Sequence, residues 1–170
     1  MALRDTLWDI YRRRDWATLH KALDAASPGR DAEERCCIAY WRAAGLEAKD
    51  HCLEANEVWA EARGEFSCKT LVHKRVAENL HRLGRDEEAI EELQRAPMLE
   101  EMDRYRALVL DAKYLLAHLM AVNGFEVEQA LLDEIPENYI HIDYRGRRIS
   151  KADLMAMIAR TSPCGCGKPA

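Results

Sequence analysis

The chain has 170 residues, 48% hydrophobic and 32% charged, with 25 basic side chains against 30 acidic ones and a net charge of −5. That length favours one domain with a real core. The composition excludes wholesale disorder, collagen-like repetition and a strongly basic nucleic-acid binder. Four serines and four threonines are too few for a turn-rich β-sandwich, while the share of Ala, Leu, Glu and Arg favours helix. The charge is unevenly spread: residues 139–170 carry +4 and the rest of the chain −9.

In chain order, Leu3, Leu7, Ile10 and Tyr11 form one apolar stripe, and Trp16, Leu19, Leu23 and Ala26 another. Asp15 separates them and Ser27-Pro28-Gly29 ends the unit. Ala48, Cys52, Ala55, Trp59 and Ala62 step at helical intervals, as do Val72, Val76, Leu80 and Leu83. Ala89, Ile90 and Leu93 follow, stopped by Pro97, and then a long stripe from Tyr105 to Met120. Gly45, Gly84 and Gly124 lie 39 and 40 residues apart, each between two helical patterns. The spacing predicts four helix pairs: 2–13 with 15–26, 31–44 with 46–62, 67–83 with 86–96, and 102–123 with 126–134. Such units cannot cover their own apolar faces, so they stack into an α-solenoid. The expectation is an all-α repeat domain over 1–135.

The stretch Leu80-x3-Gly84-x-Asp86-x2-Ala89-x3-Leu93-x2-Ala96-Pro97 resembles the tetratricopeptide repeat. That family places a small residue at the tight turn, Ala at the close helix contact and Pro after the second helix; Ala77 matches the small residue of its first helix. The N-terminal unit is a looser match, with Arg14 where Gly is usual and Leu19 where Ala is usual. The 31–62 unit matches through its turn, and the 102–134 unit through Ala117, Met120 and Gly124. The resemblance spans roughly residues 2–135, although the glycine spacing exceeds the family's 34.

In that family the first helix of each unit lines a concave groove. The resemblance therefore implies a partner-binding face of Trp8, Tyr11, Lys74, Glu78, His81, Tyr114 and His118, joined by Arg35 and Arg42 if Gly45 marks the second turn. About half of these are expected to be exposed, with Trp8 and Tyr114 the first candidates for the core. The implied function is a non-enzymatic adaptor, scaffold or chaperone-like module that takes up a peptide or protein. An end without a polar cap would favour a homodimer.

After Pro136, Tyr139 to Tyr144 alternates, with Ile140, Ile142 and Tyr144 on one side. Arg145-Gly146 makes a turn, and a return strand leads to Ser150, which with Asp153 forms a capping-box-like start to a helix ending near Arg160. This short hairpin and helix, residues 136–160, is expected to lie against the last helix pair, since a lone hairpin is marginal in water. Arg145, Arg147, Arg148 and Lys151 form a basic patch. It suits phosphates, an acidic partner or the acidic body itself, so a nucleic-acid-associated factor is the alternative function.

The tail, 161–170, holds Cys164 and Cys166. It resembles the opening of the small zinc-binding motif at the end of the SecA translocase, without that motif's later ligands. Two thiolates do not close a tetrahedral site, so no cofactor is expected unless zinc finds further ligands on another chain or elsewhere. Cys36, Cys37, Cys52 and Cys68 sit in helical patterns and are expected to stay reduced. There is no nucleophile elbow, phosphate loop, His-Glu-x-x-His helix or dinucleotide fingerprint, which argues against an enzyme. His73, Ala77 and His81 share a helical face beside Glu78, expected to be a polar solenoid surface rather than an acid–base cluster. No stretch approaches the roughly 18 apolar residues of a membrane span. The charged start is unlike a signal peptide, so a cytoplasmic protein is expected.

Overall fold

A computed structural model describes residues 3–143 and 146–161. Among these there are ten α-helices and one hairpin: α1 Leu3–Arg12, α2 Trp16–Ala26, α3 Ala32–Glu47, α4 Cys52–Glu61, α5 Lys69–Arg82, α6 Asp86–Gln94, α7 Met98–Glu101, α8 Arg106–Val122, α9 Gln129–Asp133, β1 Ile140–Ile142, β2 Arg148–Ser150 and α10 Lys151–Thr161. No helix among the described residues is long and apolar enough to cross a membrane.

One turn geometry recurs four times. Arg14, Asp50, Gly84 and Gly124 each adopt a left-handed backbone, with φ of 56°, 62°, 72° and 74°. At each, the following amide donates to the carbonyl five residues back: Asp15 to Ile10, His51 to Leu46, Arg85 to Leu80 and Phe125 to Met120. The left-handed residue's own amide donates three residues back, to Tyr11, Glu47, His81 and Ala121. This is the Schellman termination, which satisfies carbonyls that a helix end otherwise leaves bare. Glycine enters that conformation freely; Arg14 and Asp50 do so against the steric cost of a Cβ.

The second turn therefore lies five residues beyond the position the glycine spacing suggested. Gly45 is an interior residue of α3, buried, where a Cβ would come within 3.1 Å of the Leu19 Cδ2. Its lack of a side chain serves the approach of α2 to α3 rather than a turn. Two further boundaries differ. Residues 98–101 form the short α7 ahead of α8, and α9 occupies only five residues of the expected 126–134 segment.

The helices in close contact follow chain order: α1 with α2 and α3, α3 with α4, α4 with α5, α5 with α6, and both α5 and α6 with α8. The core is accordingly a series of clusters. Leu7, Leu19, Leu23 and Trp41 fill the first, and Trp59, Phe66 and Val72 the second. Leu80, Leu93, Val109 and Leu119 belong to the third, and Tyr114, Leu132, Ile135 and Leu154 to the last.

The hairpin pairs antiparallel, with His141 opposite Ile149. Tyr139 and Ile149 pack on the last cluster, while Ile140 and Ile142 face outward and His141 is buried. Ile140 and Ile142 do share a side, but polar contacts to α8 turn the histidine inward in their place. Tyr144 lies outside the described residues. Ser150 and Asp153 form the capping box: the Ser150 amide donates to Asp153 Oδ2 at 2.9 Å and the Asp153 amide to Ser150 Oγ at 3.2 Å.

Replacing Gly45 by Val should test the α2–α3 contact. Two branched methyl groups driven against Leu19 should lower the unfolding free energy by about 1–3 kcal/mol, read from urea denaturation.

Candidate functional site

Polar side chains from successive helices meet beneath one face of the array. Buried Glu47, at the end of α3, accepts from the Trp59 indole at 2.8 Å and from Asn79 at 3.1 Å, and pairs with Arg75 of α5. Arg75 also donates to Glu78 at 3.0 Å, and Glu78 pairs with Lys74 at 2.8 Å. Lys74 reaches Asp111 of α8 at 2.5 Å. Asp111 then accepts from Tyr139 at 3.0 Å and from His141 Nδ1 at 2.6 Å, tying the hairpin to the helices. Charges under cover require partners, and here each serves the next.

The electrostatics follow from this arrangement. Burial alone would raise the Asp111 carboxyl, but the His141 hydrogen bond and the charge of Lys74 outweigh it and hold it at about 2. Burial opposes the Lys74 charge, yet Glu78 and Asp111 raise its pKa. Tyr114, fully buried, is pushed up to about 12 by burial; its ring stacks on His141 at 4.7 Å and its hydroxyl donates to the Ser150 carbonyl at 3.3 Å.

Two depressions open above this network. One, of about 460 Å³, is lined by Tyr11 of α1, Glu47 of α3, and Arg75, Glu78, Asn79 and Arg82 of α5. The other, of about 510 Å³, lies between α5, α8 and the hairpin, and Glu78 and Arg82 line it too. The two adjoin at these residues, and together they make up a trough between α1 and the hairpin. His81, His118 and His141 line its larger end, with Leu115, Val122 and Ile149 as apolar wall. His81 Nδ1 pairs with Asp86 at 2.7 Å, whose other oxygen accepts from Asn123 at 3.0 Å. His118 differs. Its Nδ1 is buried without a hydrogen-bond partner. Burial first, and then His81, His141 and Arg147, lower its pKa.

Of the residues expected on the partner face, Tyr11, Glu78, His81 and His118 line the trough. Trp8 is 48% exposed and stacks on Tyr11 with centroids 6.5 Å apart, so it is not a core residue. Tyr114 is core, at 0% exposure, and Lys74 is buried within the ion network. Arg35 and Arg42 lie elsewhere: Arg35 pairs with Glu65 at 3.0 Å and Arg42 with Asp24 at 3.5 Å, and neither lines the trough. Their assignment followed the misplaced second turn. A five-residue shift rotates a helix by about 140°, and the position equivalent to His81 becomes Glu47. Asp111 and His141 carried a signal of their own, a lone acid within an apolar helical stripe and a histidine between two isoleucines.

The expected basic patch is dispersed. Lys151 is buried and donates to the Ile135 carbonyl and to Glu137, each at 2.7 Å. Arg147 pairs with Asp143 at 2.7 Å, Arg148 is exposed on β2, and Arg145 lies outside the described residues. Burial pushes up the thiols of Cys36, Cys37, Cys52 and Cys68, the last to about 11, which makes them poor thiolate ligands. Among the described residues no group of three or more His, Cys, Asp or Glu side chains is placed to hold a metal ion. Cys164 and Cys166 lie outside them. Comparison with protein-family models, curated proteins and solved structures returns no match to this chain.

Two measurements probe this site. Asp111→Ala strands His141 and Tyr139, leaves Lys74 with Glu78 alone, and should lower stability by about 3 kcal/mol, with amide exchange over 139–151 accelerated more than in α1–α3. For His118, the unfolded chain takes up a proton at the ordinary histidine pKa near 6.5, whereas the folded chain resists until lower pH. Stability conferred by the neutral ring is therefore full above about 6.5 and declines as pH falls toward the depressed folded value. Urea midpoints should drop between about pH 7 and pH 5, less steeply in His118→Gln.

Proposed function

We propose that the chain is a tetratricopeptide-like array of helix pairs that binds a segment of another protein along the trough. The observation that carries this reading is the fourfold Schellman turn. Its left-handed residues are 14, 50, 84 and 124, at intervals of 36, 34 and 40 residues, two of them near the family's period. Aligned on that turn, the first helix of each pair, α1, α3, α5 and α8, contributes to the trough. A solenoid places its binding surface there by the same logic.

The trough offers a distinct recognition chemistry. Tyr11 lines one end, and exposed Trp8 stacked on it extends the aromatic surface beyond the rim; Arg82, Glu78 and the imidazoles supply charged and polar contacts along the rest. Aromatic and arginine side chains dominate binding energy in such surfaces, and a bound segment would satisfy polar groups that water now covers. The burial of Lys151 removes one cation from the group on which the nucleic-acid alternative relies.

Selection of peptides from a random displayed library against the immobilised protein tests the proposal. Enriched peptides should bind saturably, and Trp8→Ala and Arg82→Ala should each weaken binding by about tenfold. No enrichment, or binding indifferent to both substitutions, overturns it.

A further inference from the structure

The larger end of the trough contains a buried imidazole nitrogen without a hydrogen-bond partner. Nδ1 of His118 is sealed from solvent without a partner, so no acceptor there holds a proton. The neutral ring therefore carries its proton on Nε2, the nitrogen left for the cavity that the ring lines. Beyond burial, His81, His141 and Arg147 each lower the pKa of the ring, ahead of Asp143, which raises it. The carboxylates nearby are already engaged: Glu78 with Lys74 and Arg75, Asp86 with His81 and Asn123, and Asp143 with Arg147.

Arg147 completes the arrangement. It meets Asp143 through Nε at 2.7 Å, an edge contact that leaves its Nη groups for another acceptor. Its side chain is 64% exposed, and the residue lines the cavity that His118 lines. Leu115 and Val122, beside His118 on α8, and Ile149 of β2 line it too, an apolar wall for the body of a small molecule. The volume, about 510 Å³, is within the range of small-molecule sites.

We propose that this cavity binds the phosphate group of a small phosphorylated molecule, with His118 Nε2 and the Arg147 guanidinium as its donors and the apolar wall holding the ligand's body. Phosphate suits the site better than carboxylate because its several charged oxygens accept from donors on different elements at once. The inference does not depend on whether a peptide occupies the rest of the trough.

The test is an NMR titration of the histidine ring protons in the whole chain with inorganic phosphate, phenyl phosphate and acetate. Phosphate should move the His118 signal saturably and raise its titration midpoint, since a bound anion favours the charged ring. Phenyl phosphate should bind more tightly through the apolar wall, and acetate should produce little change. The exposed His51 ring is the internal control. Arg147→Ser, on the exposed hairpin, should weaken phosphate binding by about tenfold. The neighbouring His81 ring, its centroid 6.3 Å from that of His118, should shift with phosphate in the native chain and not in His118→Leu. Three results overturn the proposal: a His118 signal unmoved by phosphate, equal responses from His118 and His51, or acetate matching phosphate. Binding unaffected by Arg147→Ser removes the assigned donor and overturns it as well.

Discussion

Asp111 is the constraint on which the far half of the molecule depends. A carboxylate on a helix that is otherwise largely apolar needs compensation, and it draws Lys74 from α5 and both Tyr139 and His141 from the hairpin. Lys74 in turn needs Glu78, Glu78 shares Arg75, and Arg75 holds Glu47 at the end of α3. Removing any one member leaves its neighbours charged and under cover, a larger loss than the pair's own attraction. The row of charges therefore fixes how α3, α5, α8 and the hairpin face one another, and the apolar clusters on the other side supply most of the favourable free energy.

The trough follows from this arrangement. α3 and α8 each contribute to two apolar clusters, and Glu47, Arg75 and Glu78 of the ionic row line the trough. The hairpin closes one end by turning His141 inward and placing Arg147 at the rim. This explains the outward Ile140 and Ile142: the strand sacrifices two apolar contacts to place one imidazole on Asp111 and against the Tyr114 ring.

Much of the helical order was legible in the sequence because apolar stripes at helical spacing dictate buried faces, and α1, α2, α5, α6 and α8 fall close to where those stripes lie. Ser150 and Asp153 likewise announced the start of α10 through a purely local interaction. The second turn escaped because glycine is an unreliable marker of left-handed backbone. Arg14 and Asp50 adopt it under tertiary constraint, while Gly45 serves a close helix contact instead. From that one displacement came the misassignment of Arg35 and Arg42 and the omission of Glu47. Asp111 and His141 were visible as polar intrusions in apolar patterns, but their partnership spans thirty residues and no local rule joins them.

Stacked helix pairs that touch only their neighbours can fray from either end, each pair melting with little consequence for those further along. The ionic row opposes that behaviour. Loosening the hairpin exposes Asp111, which unsettles Lys74 and Glu78 on α5, and through Arg75 reaches Glu47 and the indole of Trp59 on α4. Helices whose apolar clusters are separate are thereby joined by charges, a linkage that favours the all-or-none melting expected of a single domain.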